Sequence, residues 1–500
     1  MILMKKSLIC LIISIFLLLP IISAATINAP SCSQTDVQAA ANAAQDGDTV
    51  LVPAGTCTWF TLTSNAPALF IDKKNIILNG AGIGKTIIID ETSDAIGTKY
   101  GEHLITVEGV AGKPFRITGF TLRRYTIGDT DSSFINIRGS AMNWRVDHNE
   151  FITSTSFGSP DTCVGTSGFT YGLIDNNLFR GMGRVVIMGD ADASWKRPLT
   201  LGTSNAVYIE NNQYNNSLNG TYIMSNAVDS NNGGRYVFRH NDCDGGYVEA
   251  HGSQWGRGTF SYEVYENVIR DSPVIWVPFS FRGGTGVIFN NTAYNFLWGA
   301  DRINIYYDRA CGPSGLECAC DGTCYIDGNQ ESTGWPCRDQ LGRSTDYGVD
   351  SVHPQTHEPA YEWNNTNYIN GVPSDIDFIP HSGCERNAIL LKRDIDYFNN
   401  TIRADYIPYI YPHPLSVAPS GTDICGEGEI TNECWCEGLK SVGYCYNGYY
   451  STEEGDRIIE PPVEQFVTIQ EMLNAYQNYK RNEVSILYFL DKLRNWIVFW

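Results

Sequence analysis

Between residues 143 and 296 the chain repeats one short pattern six times, and this repeat limits the fold more than any other feature. The copies read WRVDHNEF (144–151), YGLIDNNLF (171–179), AVYIENNQY (206–214), RYVFRHNDC (235–243), YEVYENVI (262–269) and VIFNNTAY (287–294). They align on Asn149, Asn177, Asn212, Asn241, Asn267 and Asn291, with successive differences of 28, 35, 29, 26 and 24 residues. Repeats of this length signify a solenoid or an array. Within each copy the apolar period is two, and Val, Ile, Tyr and Phe dominate, so each copy reads as short strands and turns. One coil of strands per repeat, with each strand paired to its copy in the next coil, is a parallel β-helix. An asparagine recurring at one bend tolerates left-handed backbone and bonds neighbouring peptide groups. Stacked, the six would form an internal amide ladder whose role is scaffolding.

Other segments extend the array. Residues 33–60 open with Ser33 or Thr35 as helix caps, run through an alanine-rich helix, turn at Asp46-Gly47-Asp48 and continue into a strand at Thr49–Val52. A short helix there would cover the open end of the solenoid. Apolar runs at 75–82, 86–90, 103–109, 115–122 and 134–140 bring the expected total to about eight to ten coils. The runs at 361–366 and 389–399 are candidate returning strands, and the proline-rich 408–414 reads as extended.

Residues 1–25 read as a secretory signal, with Lys5 and Lys6 before an apolar stretch from Leu8 to Ile22 and a small-residue exit at Ser23-Ala24-Ala25. Cys10 would leave with it, so fourteen of the fifteen cysteines remain, an even number that in an exported chain reads as disulfides. Zinc is the competing reading at Cys318/Cys320/Cys324 and Cys434/Cys436, but neither cluster has C-x-x-C spacing. The expected organisation is therefore a signal (1–25), a β-helix domain (26–418) with a cysteine-rich insert at about 311–346, a small disulfide-rich module (419–450) and a linker (451–462). A helical tail (463–500) completes it. The tail repeats Phe466, Ile469, Leu473 and Tyr476, then Ile486, Phe489, Leu490, Leu493, Trp496 and Ile497, at helical spacing. Two such helices need a partner, and the cell envelope is the partner expected. The formal charge of −20 argues against nucleic acid.

The repeats, the helix–DGDTV–PAG order at 34–55 and the stretches GWPCRDQLGRSTD (334–346), YEWNNT (361–366) and 393–415 together resemble secreted right-handed β-helix proteins of the pectin lyase superfamily. That resemblance implies an all-β, right-handed parallel β-helix with an N-terminal capping helix. It also implies that a long polysaccharide lies along one face. Its hydrolases use paired carboxylates. Its lyases use an Arg or Lys base, with calcium held by Asp or Glu. The hydrolase motifs are absent, and Asp147-His148 reads as an ordinary turn. The lyase motif R-x-x-P-x-x-R is half present at Arg270-Asp271-Ser272-Pro273, with Trp276 in the last place. Asn143–Phe151 loosely resembles the W-I-D-H stretch of pectate lyases.

Phase supplies the candidate site. Arg138, Arg257 and Arg282 precede their ladder asparagines by 11, 10 and 9 residues, and each is followed by glycine. Arg257 and Arg282 are therefore expected close together, with anions between them: substrate carboxylates, or protein acids such as Glu249 or Asp271. Catalysis is assigned to Arg257, Arg282 and His251, and substrate binding to Arg138, Trp255 and Glu249. The competing reading is a hydrogen-bonded turn histidine among salt-bridged scaffold arginines. No metal site is read from the sequence, and calcium enters only as an open cofactor question from the resemblance. Five N-x-[ST] sequons, at Asn215, Asn219, Asn290, Asn364 and Asn399, suit a glycoprotein. The expected function is a secreted or cell-surface protein that binds, and in a lyase-like reaction cleaves, an extracellular acidic polysaccharide. The alternative is a non-catalytic structural or adhesive surface protein.

Overall fold

The computed structural model describes residues 24–417 except 61–65, 93–102, 125–131, 154–161, 182, 219–220, 223–225, 253–255, 271–276, 297–301, 306–338, 347–354 and 382–390. It also describes short strands between 430 and 451. Residues 1–23 of the expected signal, most of the cysteine-rich insert and the whole of the expected helical tail lie outside these residues. Among the described residues no helix is long and apolar enough to cross a membrane.

The chain forms a right-handed parallel β-helix with three long sheets of twelve, eleven and ten strands. The first sheet outnumbers the eight to ten coils expected, because pairs at both ends join it: Thr26–Asn28 on Thr49–Val52, and Tyr397–Phe398 on Ala360–Trp363. Each repeat copy supplies a strand of the first sheet, the ladder asparagine, and a strand of the second sheet. Strands of the third sheet, such as Ser133–Gly139, Asn226–Asn231 and Tyr247–Ala250, lie between copies.

Period-two alternation sends one residue in two inward, and in a parallel stack like meets like. On the first sheet the inward column is Ile117, Val146, Ile174, Ile209, Phe238, Val264 and Ile288. On the second it includes Phe151, Phe179 and Tyr214, whose rings stack at 5.0 and 4.4 Å. All are buried. At about 25 cal/mol per Å² of apolar surface removed from water, these columns supply most of the folding drive.

The asparagine ladder is present and extends one step further, to Asn365. Asn177 shows the pattern. Its Nδ2 donates to Val146 O (2.9 Å), Asp175 O (3.0 Å) and Asn212 Oδ1 (3.1 Å), while its Oδ1 accepts from Asn149 N (3.0 Å). The left-handed residue is not the asparagine, as the sequence suggested, but the one before it: His148, Asn176, Asn211, His240, Glu266, Asn290 and Asn364 have φ of 52, 53, 57, 53, 55, 54 and 56°. The division of labour is physical. The turn needs an exposed residue that tolerates αL, whereas the buried amide must satisfy donors from two coils. The step from Asn291 to Asn365 spans 74 residues and still closes one coil, so the cysteine-rich insert interrupts the array without breaking it.

The N-terminal end is capped by the helix Gln34–Ala43, which buries Val37, Ala40 and Ala41. Ser33 Oγ accepts from Asp36 N at its start, and Lys74 Nζ donates to Ala41 O, Asn42 O and Ala44 O at its end, each at 2.8 Å. Cys32 and Cys57 form a disulfide beside it. The reading of every cysteine as crosslinked fails at Cys243, a buried thiol in the inward column of the second sheet. Its place between Tyr214 and Ile269 calls for a small apolar group, which a thiol provides.

Residues 400–416 cross the outer face of the first sheet. Tyr406, Tyr409 and Leu415 pack on Tyr208, Tyr265, Phe289 and Trp363 there. By contact density the chain divides into Met1–Ser416 and Val417–Trp500. In the second unit Ile430–Thr431, Gly443–Tyr446 and Tyr449–Ser451 form a three-stranded antiparallel sheet.

Candidate functional site

The outer face of the third sheet carries two columns of side chains. One contains Val186, Asp229, Glu249 and Ser280: Val186 pairs with Asp229, Glu249 pairs with Ser280, and Asp229 and Glu249 each follow the partnered Val228 and Val248. The other contains Arg138, Ser167, Met188, Asn231, His251 and Arg282, since Arg138 pairs with Ser167, Met188 pairs with Asn231, and His251 and Arg282 each follow the partnered Ala250 and Phe281. The register thus sets His251, not Arg257, beside Arg282.

Asp229 and Glu249 point out of the solenoid yet are only 6% and 3% exposed. Charge buried that deeply must be paired. Arg282 Nη2 lies 2.6 Å from Glu249 Oε1, and Arg184 Nη1 lies 3.3 Å from Asp229 Oδ2. Asn226 Nδ2 (2.8 Å) and Tyr247 Oη (3.2 Å) donate to Glu249 Oε2, and Ser230 N donates to Asp229 Oδ1 (2.8 Å). The two carboxyls are driven apart. Burial, and then the charge on Glu249, raise the Asp229 carboxyl above its ordinary value. Burial also penalises ionised Glu249, but its neighbours, Arg282 first and then His251, Arg184 and the Tyr247 hydroxyl, together outweigh it and hold that carboxyl below its ordinary value. Divergence of this kind in an adjacent pair separates an acid from a base.

Arg282 also fixes the histidine. Its Nη1 lies 3.0 Å from His251 Nε2. A guanidinium has no acceptor, so Nε2 must accept and the imidazole proton sits on Nδ1. Among the described residues His251 Nδ1 and Asn231 Oδ1 have no hydrogen-bond partner. Both residues line a small pocket of about 10 Å³, room for a water-sized group, together with Asn232, Gly252 and Arg257. As arranged, His251 offers a proton to the pocket and has no lone pair to give.

The other residues singled out from the sequence lie elsewhere or are committed. Arg257 is not stacked on Arg282. It sits in the turn beside Asn232, whose N–H donates to its carbonyl at 2.7 Å. Its guanidinium meets Asp339 (2.7 Å), Asp192 (2.6 Å) and Asp346 (2.9 Å) and lies 4.7 Å over the Trp195 ring. Burial alone would lower its pKa, but those carboxylates raise it. A guanidinium so held cannot serve as a base. Arg138 shares the column of Arg282 but lies five strands away, about 24 Å at ~4.8 Å per step; it pairs with Glu108 at 2.5 Å. Trp255 lies outside the described residues. Glu249 is in the site, as a partner of Arg282 and not as a free ligand for substrate. The anions between these arginines are thus the protein's own. Asp147-His148 is the turn expected, with Nδ1 2.6 Å from Asp147 Oδ2.

Asp229, Arg184, Asn226 and Tyr247 were not picked out from the sequence. The signal available was Asp229 in the strand NAVDSN, one residue past the partnered Val228, but it cannot be aligned with Glu249 without the register of the third sheet. Asp229, Glu249 and His251 each place a ligand atom within 4.8 Å of the others, the spacing of a metal cage. A calcium ion does not fit the set. Arg282 already occupies Glu249 and His251, Arg184 occupies Asp229, two guanidinium charges balance two carboxylates, and imidazole is a poor calcium ligand.

No family model and no curated protein matches the chain. Among solved structures it is similar to an alginate lyase from a Paenibacillus species, at 12% identity and a TM-score of 0.31, covering 72% of this chain and 99% of that one. It is similar to the catalytic unit of an α-1,3-glucanase from Streptomyces thermodiastaticus at 12% identity and a TM-score of 0.30, covering 77% and 71%. It is similar also to the A-module of a mannuronan C-5 epimerase from Azotobacter vinelandii at 15% identity and a TM-score of 0.22, covering 52% and 91%.

Proposed function

We propose that this chain is an extracellular polysaccharide-processing protein whose site is the Asp229–Glu249 pair on the outer face of the third sheet. The observation that carries this reading is the divergence of two adjacent, outward-pointing carboxyls. Asp229, the more readily protonated of the two, is the side chain placed to give a proton to a glycosidic oxygen, and Glu249, the more readily ionised, is the one placed to face an oxocarbenium-like centre or an attacking water. His251 Nδ1–H and Asn231 Oδ1 supply a donor and an acceptor, which together suit a sugar hydroxyl. The Cys32–Cys57 disulfide supports a location outside the cell.

This reading moves away from an Arg- or His-driven elimination, because Arg257 is held by three carboxylates and the His251 Nε2 lone pair is engaged. It also moves away from an obligatory acidic substrate, because the arginines of this face are neutralised by protein acids. A second reading, a non-catalytic spacer or adhesive protein, is favoured by the burial of Asp229 and Glu249.

One assay separates the two. The full chain is incubated with a panel of neutral and acidic polysaccharides, and both new reducing ends and the near-ultraviolet absorbance of unsaturated uronic products are read. Reducing ends without that absorbance, lost in Asp229→Asn and Glu249→Gln variants of native fold, are expected. Silence in both channels establishes the spacer. Absorbance that survives Asp229→Asn restores an elimination by other residues.

A further inference from the structure

Three carboxylate and imidazole ligands at metal-cage spacing ordinarily await a cation, and here a side chain stands among them. Arg282 enters from the next strand with Nη2 on Glu249 Oε1 (2.6 Å) and Nη1 on His251 Nε2 (3.0 Å). Asp229 completes the trio. Arg282 is only 7% exposed, so its positive charge is as deeply placed as the charges it meets. A guanidinium costs less to strip of water than a divalent ion and forks to two acceptors at once.

We infer that Arg282 is the built-in cation of this cluster: it substitutes for a divalent metal, makes the wild-type site metal-independent, and suppresses a latent metal-binding site formed by Asp229, Glu249 and His251. The inference takes only its location from the proposed function. Its test reads metal binding and no turnover, so failure of one does not imply failure of the other.

Removing the guanidinium frees the Glu249 carboxylate and an imidazole lone pair around a vacated volume, and Asp229, still paired with Arg184 through Oδ2, offers the third ligand atom of an O, O, N donor set that suits Mn²⁺. Mn²⁺ is also a better probe than Zn²⁺, which would seek the chain's cysteines. The full chain and its Arg282→Ala variant are titrated with Mn²⁺, following the loss of the free-ion electron paramagnetic resonance signal and the shift in melting temperature. The wild type is expected to bind no Mn²⁺ that Glu249→Gln abolishes. Arg282→Ala is expected to bind one equivalent, at least tenfold more tightly than wild type, and to lose it in the Arg282→Ala/Glu249→Gln double variant. Arg282→Lys keeps a cation in place and is expected to behave as wild type.

Wild-type binding of Mn²⁺ or Ca²⁺ that disappears in Glu249→Gln overturns the inference. So does a folded Arg282→Ala chain with no gain over wild type. If Arg282→Ala folds poorly, the repulsion between Asp229 and Glu249 is the expected cause, and millimolar Mn²⁺ should restore its native circular dichroism. Failure of that rescue also overturns the inference.

Discussion

The first and third sheets both carry ion pairs on their outer faces, and the molecule finishes the two faces differently. On the first sheet Arg116–Asp147, Arg145–Asp175 and Arg239–Glu210 pair at 2.6, 2.8 and 2.6 Å, and residues 400–416 lie across part of the face. Arg239 donates to Tyr409 O (2.7 Å) and Ile410 O (2.9 Å), Tyr406 Oη donates to Glu263 Oε2 (2.5 Å), and His413 N donates to Glu210 Oε1 (2.9 Å). Arg239, Glu210 and Glu263 thus each meet an atom of the crossing segment. On the third sheet the pairs are equally buried, but the network ends at His251 Nδ1 and Asn231 Oδ1, which meet none among the described residues. Ion pairing alone therefore does not mark a site. What distinguishes the third sheet is a network whose last donor and acceptor line a small pocket.

The largest effect that can break this comparison is at Arg239. Its guanidinium is fully buried, and removing it leaves Glu210 charged and deprived of its main partner. Arg239→Met is expected to cost about 3–5 kcal/mol in urea unfolding and to open the segment 402–416 to proteases. A loss below about 1 kcal/mol would mean that the segment is held by its rings alone and that the two faces differ less than the contacts suggest. Next comes the ladder, which serves both faces equally. Asn212→Ala removes an amide that donates to Ile174 O, Glu210 O and Asn241 Oδ1 and accepts from Asn177 N. Stranding those buried groups is expected to cost about 3 kcal/mol. An unchanged denaturation midpoint would show that the ladder is incidental to stability.

The ladder was legible because it repeats: six asparagines in phase with period-two strands admit few folds. The site was only half legible, for a physical reason. The asparagine marks the corner between the first and second sheets, so sequence phase fixes those two. Third-sheet strands lie between copies, beyond loops of variable length, and register there is set by backbone pairing that leaves no motif. Counting back from the ladder placed Arg257 on Arg282, whereas pairing of Ala250 with Phe281 sets His251 there. His251, Glu249 and Arg282 were reached through that approximate phase. Asp229 and Arg184 were not, because nothing local distinguishes a buried outward acid from a turn acid. The αL position was misassigned by one residue for a similar reason: His, Asn and Glu all occupy it, so it has no single-letter signature.

The sealed face should also respond to pH. Burial raises the Glu263 carboxyl from its ordinary 4.5 to about 7. A carboxyl raised in the folded state binds its proton more tightly there than in the unfolded chain. Its contribution is thus complete below about pH 4.5 and is lost as pH rises through about 7. The difference amounts to at most about 3 kcal/mol. Glu362, raised to about 7 chiefly by burial at the far end of the solenoid, adds a slope of the same sign. Glu263→Gln is expected to remove its share of the fall in stability between those pH values and to leave the rest to Glu362 and the other carboxyls raised by burial, Asp175, Glu210 and Asp229. An unaltered slope would place the Glu263 proton elsewhere.

The smallest effect sharpens the comparison most. Arg138 stands in the same outer column as His251 and Arg282, with its side chain 49% exposed and paired to Glu108. Such a pair contributes roughly 0–1 kcal/mol, so Arg138→Ala should leave the melting temperature nearly unchanged. Its separation from Arg282, five strands or about 24 Å, exceeds the length of a short oligosaccharide but lies within the reach of a long chain. If a polysaccharide runs along this column, Arg138→Ala should weaken binding of long chains a few-fold, measured by affinity electrophoresis, and leave short oligosaccharides unaffected. Equal weakening of both would put Arg138 in contact with the short ligand and contradict the register. No weakening of either would confine recognition to the pocket beside His251. The open face would then be a single pocket and not a track.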